Sequence, residues 1–377
     1  MISQYSEAKE GKMTRKRILV LLGSVCLALM LVVPMVTACA APAPTPTPTP
    51  TPSPSPEKIE IRLIHAYPET TQHGRNSDLF VELADKYTDG RVEVIVFPNA
   101  QVCPISKEPT VVLGGGAEMT YNIAGVWELV NPAEAIWSVP FLSKGSPGDM
   151  RHDRAIYFDP VIFGELAKID ASKGFKRLMG PSTVNGFSFF TNPYPILTVE
   201  DFKGLKMRSP GGLLGDYFFN ALGASAITIA GTEVPVALEQ GTVDGLTTVP
   251  LHWFDARWIT KYWTYPYWCS YSMVLEANMG WWNSLPEDIR DILENKVTPE
   301  VCEYSFSSVE RLEVELLDLV TKPPYNVEIY EISQEELKRM EELTQAGGIE
   351  LFQETVGKEL ADKLIDRVRE LTPADLK

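Results

Sequence analysis

From Ala41 to Pro56 every second residue is proline, in "APAPTPTPTPTPSPSP". Proline has a fixed φ and no backbone N–H, so this stretch can join neither a helix interior nor a central strand and is restricted to an extended polyproline II spacer. At about 3.1 Å per residue it reads as a stalk of several nanometres. Whatever folds and functions therefore begins near residue 58.

The residues before the stalk explain why one is needed. A basic cluster at Thr14-Arg15-Lys16-Arg17 precedes an apolar run from Ile18 to Met35 and then "VTACA" at 36–40. This reads as a secretory signal with a lipobox, in which small Thr37 and Ala38 precede the cysteine to be lipidated, Cys39. Residues 1–38 are then a signal peptide, with Met13 a second candidate start, and 39–58 are the lipidated cysteine and stalk. An uncleaved transmembrane anchor is the alternative, because the apolar run is long enough to cross most of a bilayer. Both readings place the rest of the chain outside the cytoplasm and beside a membrane.

The exported part is acidic. The whole chain carries a formal net charge of −16, and the leader is basic, so its removal leaves the remainder more negative. Such a surface argues against nucleic acid and anionic headgroups as partners. Of the five cysteines, Cys26 lies in the leader and Cys39 takes lipid. Cys103, Cys269 and Cys302 remain, without metal-ligand spacing and with at most one disulfide among them.

Beyond the stalk, periodicity alternates between strand and helix. "KIEIRLIHAYP" at 58–68 and "RVEVIVFPNAQ" alternate apolar and polar residues, and "SDLFVELADKYTDG" between them has helical spacing, with Ser77 as its N-cap and Gly90 as its stop. "AEMTYNIAGVW" supplies another strand. A second unit near "NGFSFFTNPYP" repeats the rhythm through "AITIA" and "VDGLTTV", and the chain ends in amphipathic helices. The fold class expected is α/β.

The sequence carries little that reads as an enzyme signature. There is no Gly-x-x-x-x-Gly-Lys-Ser/Thr, no His-Glu-x-x-His and no Gly-x-Ser-x-Gly. "GGGAE" at 114–118 reads as a helix-ending turn. The histidines, at 65, 73, 152 and 252, are scattered and read as polar loop residues.

One arginine stands out. In "KGLKMRSPGG", Arg208 follows apolar Leu205 and Met207 at a strand end and precedes Ser209, Pro210, Gly211 and Gly212. A guanidinium is a planar fork of donors that matches a carboxylate in two parallel bonds, and the turn residues let backbone approach a ligand. A surface ion pair with Asp216 is the plainer alternative.

With "GRVEVIVFPNAQ", "WSVPFL", "FKGLKMRSPGG", "EVPVALEQGTVDG" and "WWNSLPEDIRDIL" in this order, the chain from about Lys58 to its end resembles the solute-binding proteins of tripartite ATP-independent periplasmic (TRAP) transporters, of the dicarboxylate-binding (DctP) type. The resemblance implies a two-lobed clamshell of three-layer α/β lobes, a long helix spanning both and a helical C-terminus. Lobe 1 would take 59–184 and about 273–315; lobe 2 would take 185–272 and about 316–377. It implies an extracytoplasmic, non-catalytic receptor that delivers a small organic acid to an ion-gradient-driven permease. Arg208 would grip the ligand carboxylate.

Further pocket residues carried over by the resemblance are His65, Asn122, Phe187 or Ser188, and Thr248. Many relatives place a second arginine where Phe187 or Ser188 stands, so the expected ligand is a monocarboxylate or an acid with a neutral far end. Thr247 and Thr248 replace the residues that hold a metal in some relatives, so neither metal nor other cofactor is expected. Gly231 replaces a bulky aromatic and should widen the pocket.

"HWFDARWITKYWTYPYW" contributes Trp253, Trp258, Trp263 and Trp268. They read as core and hinge packing, or as an aromatic lining, led by Trp253, for a ring-bearing or hydrophobic acid. A receptor for an ATP-driven importer or a sensor would use the same clamshell. A secreted α/β hydrolase would need a nucleophile and base that the sequence does not display.

Overall fold

The computed structural model describes residues 58–180 and 186–376; the expected leader, Cys39 and the stalk lie outside the described residues. Two sheets organise the chain. The first contains β1 (Ile59–Ile64), β2 (Val92–Phe97), β3 (Met119–Ile123), β4 (Phe175–Leu178) and β10 (Met273–Asn278) in the order β2-β1-β3-β10-β4. β1 runs parallel to β2 and β3, whereas β10 is antiparallel to β3 and β4. The second contains β5 (Ser188–Thr191), β6 (Lys206–Ser209), β7 (Ser225–Thr228), β8 (Gly245–Thr248), β9 (Tyr262–Tyr265) and β11 (Glu328–Glu331) in the order β11-β9-β5-β8-β6-β7. Within it, β6 is parallel to β7 and β8, and β5 is antiparallel to β8 and β9.

The chain passes between the sheets after β4, after β9 and again before β11. The first two crossings lie side by side: Phe187 N–H donates to Cys269 O at 3.1 Å and Trp268 N–H to Phe187 O at 3.2 Å. Gly186 is required there, since a Cβ would come within 2.2 Å of the Tyr267 Cβ.

The helix after β1 begins earlier than its apolar spacing suggests. It spans Gln72–Tyr87 with Thr71 as N-cap, and Ser77 lies inside it, donating to the His73 carbonyl. Its first turns are polar yet buried, so hydrophobic periodicity cannot reveal them. The Asn76 amide, for instance, donates to Ser305 Oγ at 2.9 Å.

Ser305 belongs to the long helix that the resemblance implies. Glu287–Ile292 runs through a π-helical turn, Leu293–Val297, into Thr298–Leu319. It packs on Gln72–Tyr87 beside the first sheet and on Pro250–Asp255 beside the second. The last two helices brace both halves as well. Gln334–Val356 packs on Leu213–Ala221, and Lys358–Leu371 packs on Arg151–Tyr157 and Pro160–Ser172, in the stretch expected to belong to lobe 1. The three cysteines among the described residues are free thiols.

Candidate functional site

The parallel strands of both sheets point their carboxyl ends at one cavity of about 540 Å³. Residues just past β1 and β2 and at the end of β3 form one wall: Tyr67, His73, Ile105 and Ile123. Arg208 near the end of β6, Gly231 after β7, and Thr248 ending β8 form the opposite wall, with His252 and Trp258 following. Clefts at strand carboxyl ends are where α/β sheets place ligands, because side chains from successive loops converge there.

Arg208 is 4% exposed. Its Nε donates to the Ile229 carbonyl at 3.1 Å, and the guanidinium carbon lies 5.2 Å from the Trp258 ring centroid. No carboxylate pairs with it among the described residues. Asp216 instead accepts a long bond, 3.4 Å, from Thr228 Oγ1. Burial without an acidic partner disfavours the charged form and lowers the Arg208 pKa to about 10. The guanidinium is still cationic at neutral pH. Arg208 is the one charged side chain lining the cavity among the described residues.

Four of the expected site residues line this cavity: Arg208, Phe187, Gly231 and Thr248. Four do not. His65 is buried beside Tyr67, its Nδ1 accepting the Tyr67 N–H at 3.2 Å, and Tyr67 lines the cavity in its place. Asn122 donates to Glu108 Oε2 at 2.8 Å and to the Ile105 carbonyl at 3.1 Å, which spends its amide away from the cavity. Ser188 pairs in register with Thr248, but its short side chain remains inside the packing.

Trp253 is the fourth that does not line the cavity. It is fully buried and stacks on Phe190 with ring centroids 4.6 Å apart. Helical spacing decides this: Val249, His252 and Ala256 share the face of Pro250–Asp255 that meets the cavity, leaving Trp253 on the core side. Arg257, at a φ of 58°, then turns the chain so that Trp258 returns to the wall. Trp263 and Trp268 are likewise core residues; Trp268 stacks on Phe218 at 4.1 Å. Nor is the room at Gly231 empty. A Cβ there would stand 3.2 Å from the Trp258 ring, so the indole occupies the space that the missing side chain leaves.

Tyr67, His73, His252 and Tyr271 are the residues that sequence reasoning missed. The histidines looked scattered because they sit 179 positions apart, yet their rings are 5.4 Å apart. Burial, aided by the nearby Arg208 charge, lowers the His252 pKa to about 4, so its imidazole is neutral. Thr247, expected to offer no metal ligand, bonds the Ser188 carbonyl and accepts Trp268 Nε1. Among the described residues no cluster of His, Cys, Asp or Glu could hold a metal ion.

Two contacts join the cavity walls at its margins. Asp255 accepts the Gln72 N–H and Arg75 Nη2, each at 3.0 Å. Glu128, after β3, accepts the Leu213 N–H at 3.1 Å, just beyond the Arg208 turn.

A family model described as bacterial extracellular solute-binding protein, family 7 (DctP), matches residues 64–354. The chain is 28% identical over 302 residues to the C4-dicarboxylate-binding periplasmic protein DctP of Rhodobacter capsulatus, covering 76% of this chain and 84% of that one. It is similar to the structure of a TRAP periplasmic solute-binding protein from Desulfovibrio salexigens with bound orotic acid. That likeness has a TM-score of 0.74 and 25% identity, and covers 83% of this chain and 98% of that one. A similar structure from Sulfurospirillum deleyianum, with bound succinate, has a TM-score of 0.73 at 22% identity and covers 84% of this chain and all of that one.

Proposed function

The chain belongs to family 7 of the bacterial extracellular solute-binding proteins, and on that premise we propose that it captures a small organic acid outside the cytoplasm and passes it, chemically unchanged, to a TRAP permease. The observation that carries this reading is Arg208. A buried guanidinium without an acidic partner is costly in an apolar cavity unless a ligand anion completes it. Arg208 holds the carboxylate, and Phe187, Gly231, Thr248 and Trp258 surround the rest of the molecule.

One cation and neutral histidines favour a monocarboxylate. A second carboxylate would lose its hydration and gain no partner, while the aromatic walls suit a hydrophobic or ring-bearing body. Residues 59–184 with about 273–315 act as one lobe, and 185–272 with about 316–377 as the other, closing on the ligand. Cys39 carries the lipid that keeps the receptor at the membrane, and the stalk gives it reach.

Titration calorimetry with mono- and dicarboxylates tests the reading. Arg208→Lys keeps the charge but loses the fork, and should weaken binding by about 2–5 kcal/mol. Equal affinity of wild type and variant for every acid that binds, or release of altered ligand, would overturn it.

A further inference from the structure

Around Arg208 the buried polar atoms of cavity-lining residues that have no hydrogen-bond partner include the Tyr271 hydroxyl and a neighbouring pair, the Tyr67 hydroxyl and His252 Nδ1. Their rings meet edge to face with centroids 5.9 Å apart. Neither side chain is free to turn away. Tyr67 is stacked on His73 at 3.7 Å and 11°, and His252 is set edge-on against Trp258 at 4.8 Å, the same indole that carries the Arg208 guanidinium on its face. Two rigid polar groups therefore sit side by side, next to the one cation of the site.

Buried polar atoms are rarely left unpaired, because each forfeits its hydrogen bonds to water. A carboxylate on Arg208 would leave this pair unanswered if the rest of the ligand were hydrocarbon. Resting on the carboxylate reading above, we infer that Tyr67 and His252 form a second, uncharged subsite that takes a hydroxyl of the ligand, and that the receptor selects hydroxy monocarboxylates over their deoxy counterparts. A hydroxyl satisfies both groups at once: its oxygen accepts from the tyrosine O–H and its own O–H donates to the imidazole nitrogen. The neutral imidazole offers no charge for a second carboxylate. This pair supplies the polar contacts that His65, Asn122 and Ser188, turned inward, do not.

Sites built to bond a hydroxyl discriminate strongly against analogues that lack it, since the buried partners are then stranded. Calorimetry on matched pairs tests this: lactate against propionate, mandelate against phenylacetate, and salicylate against benzoate. In at least one pair the hydroxy acid should bind more than about tenfold tighter to wild type, and Tyr67→Phe and His252→Leu should each collapse that ratio. His252→Asn, which keeps a polar atom near the Nδ1 position, should preserve part of it. Thermal melting confirms that each variant folds, and the wild-type ratio stands alone for any that does not. Equal binding of both members of every pair that binds, or a ratio unmoved by Tyr67→Phe and His252→Leu, overturns the subsite and leaves the carboxylate reading intact. If no member of any pair binds, the monocarboxylate reading fails and the subsite with it.

Discussion

Glu128 accepts the backbone N–H of Leu213 at 3.1 Å, and a Cβ on Gly212 would stand 3.0 Å from its other oxygen. This bond ties the end of the first sheet to the turn that follows Arg208. Gly212 has a φ of 102°, so only glycine combines that backbone with that approach. Burial first, then the neighbouring acids Glu134 and Asp216, push the Glu128 pKa up to about 7, against the Leu213 bond that favours the carboxylate.

A raised acid pKa makes the folded protein prefer the protonated form. The unfolded chain ionises first as pH rises, so the folded state loses stability between the ordinary glutamate range and about pH 7. Glu128→Gln mimics the protonated form. Its stability relative to wild type should rise by about 1–2 kcal/mol, after discounting for partial exposure, as pH increases through that window and level off above it. Denaturant titrations at several pH values check this; a pH-independent difference would contradict it.

Arg208 should impose a cost on the empty receptor. Arg208→Leu removes a buried, unpaired charge from an apolar cavity, so it should abolish acid binding yet raise the ligand-free melting temperature by about 2–4 °C. Differential scanning calorimetry measures both. A lower melting temperature would mean that the guanidinium's bond to Ile229 and contact with Trp258 outweigh its desolvation.

Asp255 does not line the cavity but bonds Gln72 N–H and Arg75 across the two walls. Asp255→Ala should therefore weaken binding about tenfold by favouring the open form, the ligand having to supply more of the closure energy. Solution scattering should show a larger radius of gyration for the variant at subsaturating ligand. Unchanged scattering and affinity would remove this clasp from the closing mechanism.

Trp258 lines the cavity and Trp253 does not. Ligand-induced change in tryptophan emission should persist in Trp253→Phe and be largely lost in Trp258→Phe. Affinity should also drop in Trp258→Phe, by about 1 kcal/mol, since phenylalanine holds a cation more weakly. The opposite fluorescence pattern would restore Trp253 as the reporter of the site.

Cys39→Ser should leave an uncut precursor or release the receptor into the medium. Stable anchoring takes at least two hydrophobic signals, so on the lipoprotein reading loss of Cys39 should not be tolerated. Correct processing with full membrane retention would refute the lipoprotein reading.

Much of the architecture was legible because it is written in local periodicity. Val92, Val94 and Val96 declare a strand, Leu205 and Met207 lead to a strand end, and the turn chemistry of Pro210-Gly211-Gly212 places Arg208 where strands open into loops. The order of these segments carried the family, and the proline repeat marks where the strand and helix rhythm begins. Chain reversals cannot be read in that way. Gln72 to Asn76 begin a helix without any apolar pattern, because Asn76 and Arg75 bond Ser305 and Asp255, far away in sequence, while Gln72 bonds Asn76 within the turn.

The polar lining depended on such distances. A sequence offers His65, Asn122 and Ser188 as equal candidates with Tyr67 and His252, since all are polar and near strand ends. Which of them faces the cavity is set by single steps along strand and helix: one position separates Asn122 from Ile123, and one separates His252 from Trp253. Sequence alone, through its segment order, pointed to an extracytoplasmic α/β receptor and put Arg208 at a strand end. Tertiary packing alone decided that the Trp258 indole fills the room at Gly231, that Glu108 consumes Asn122, and that Tyr67 and His252 meet, because those contacts join residues that no local rule connects.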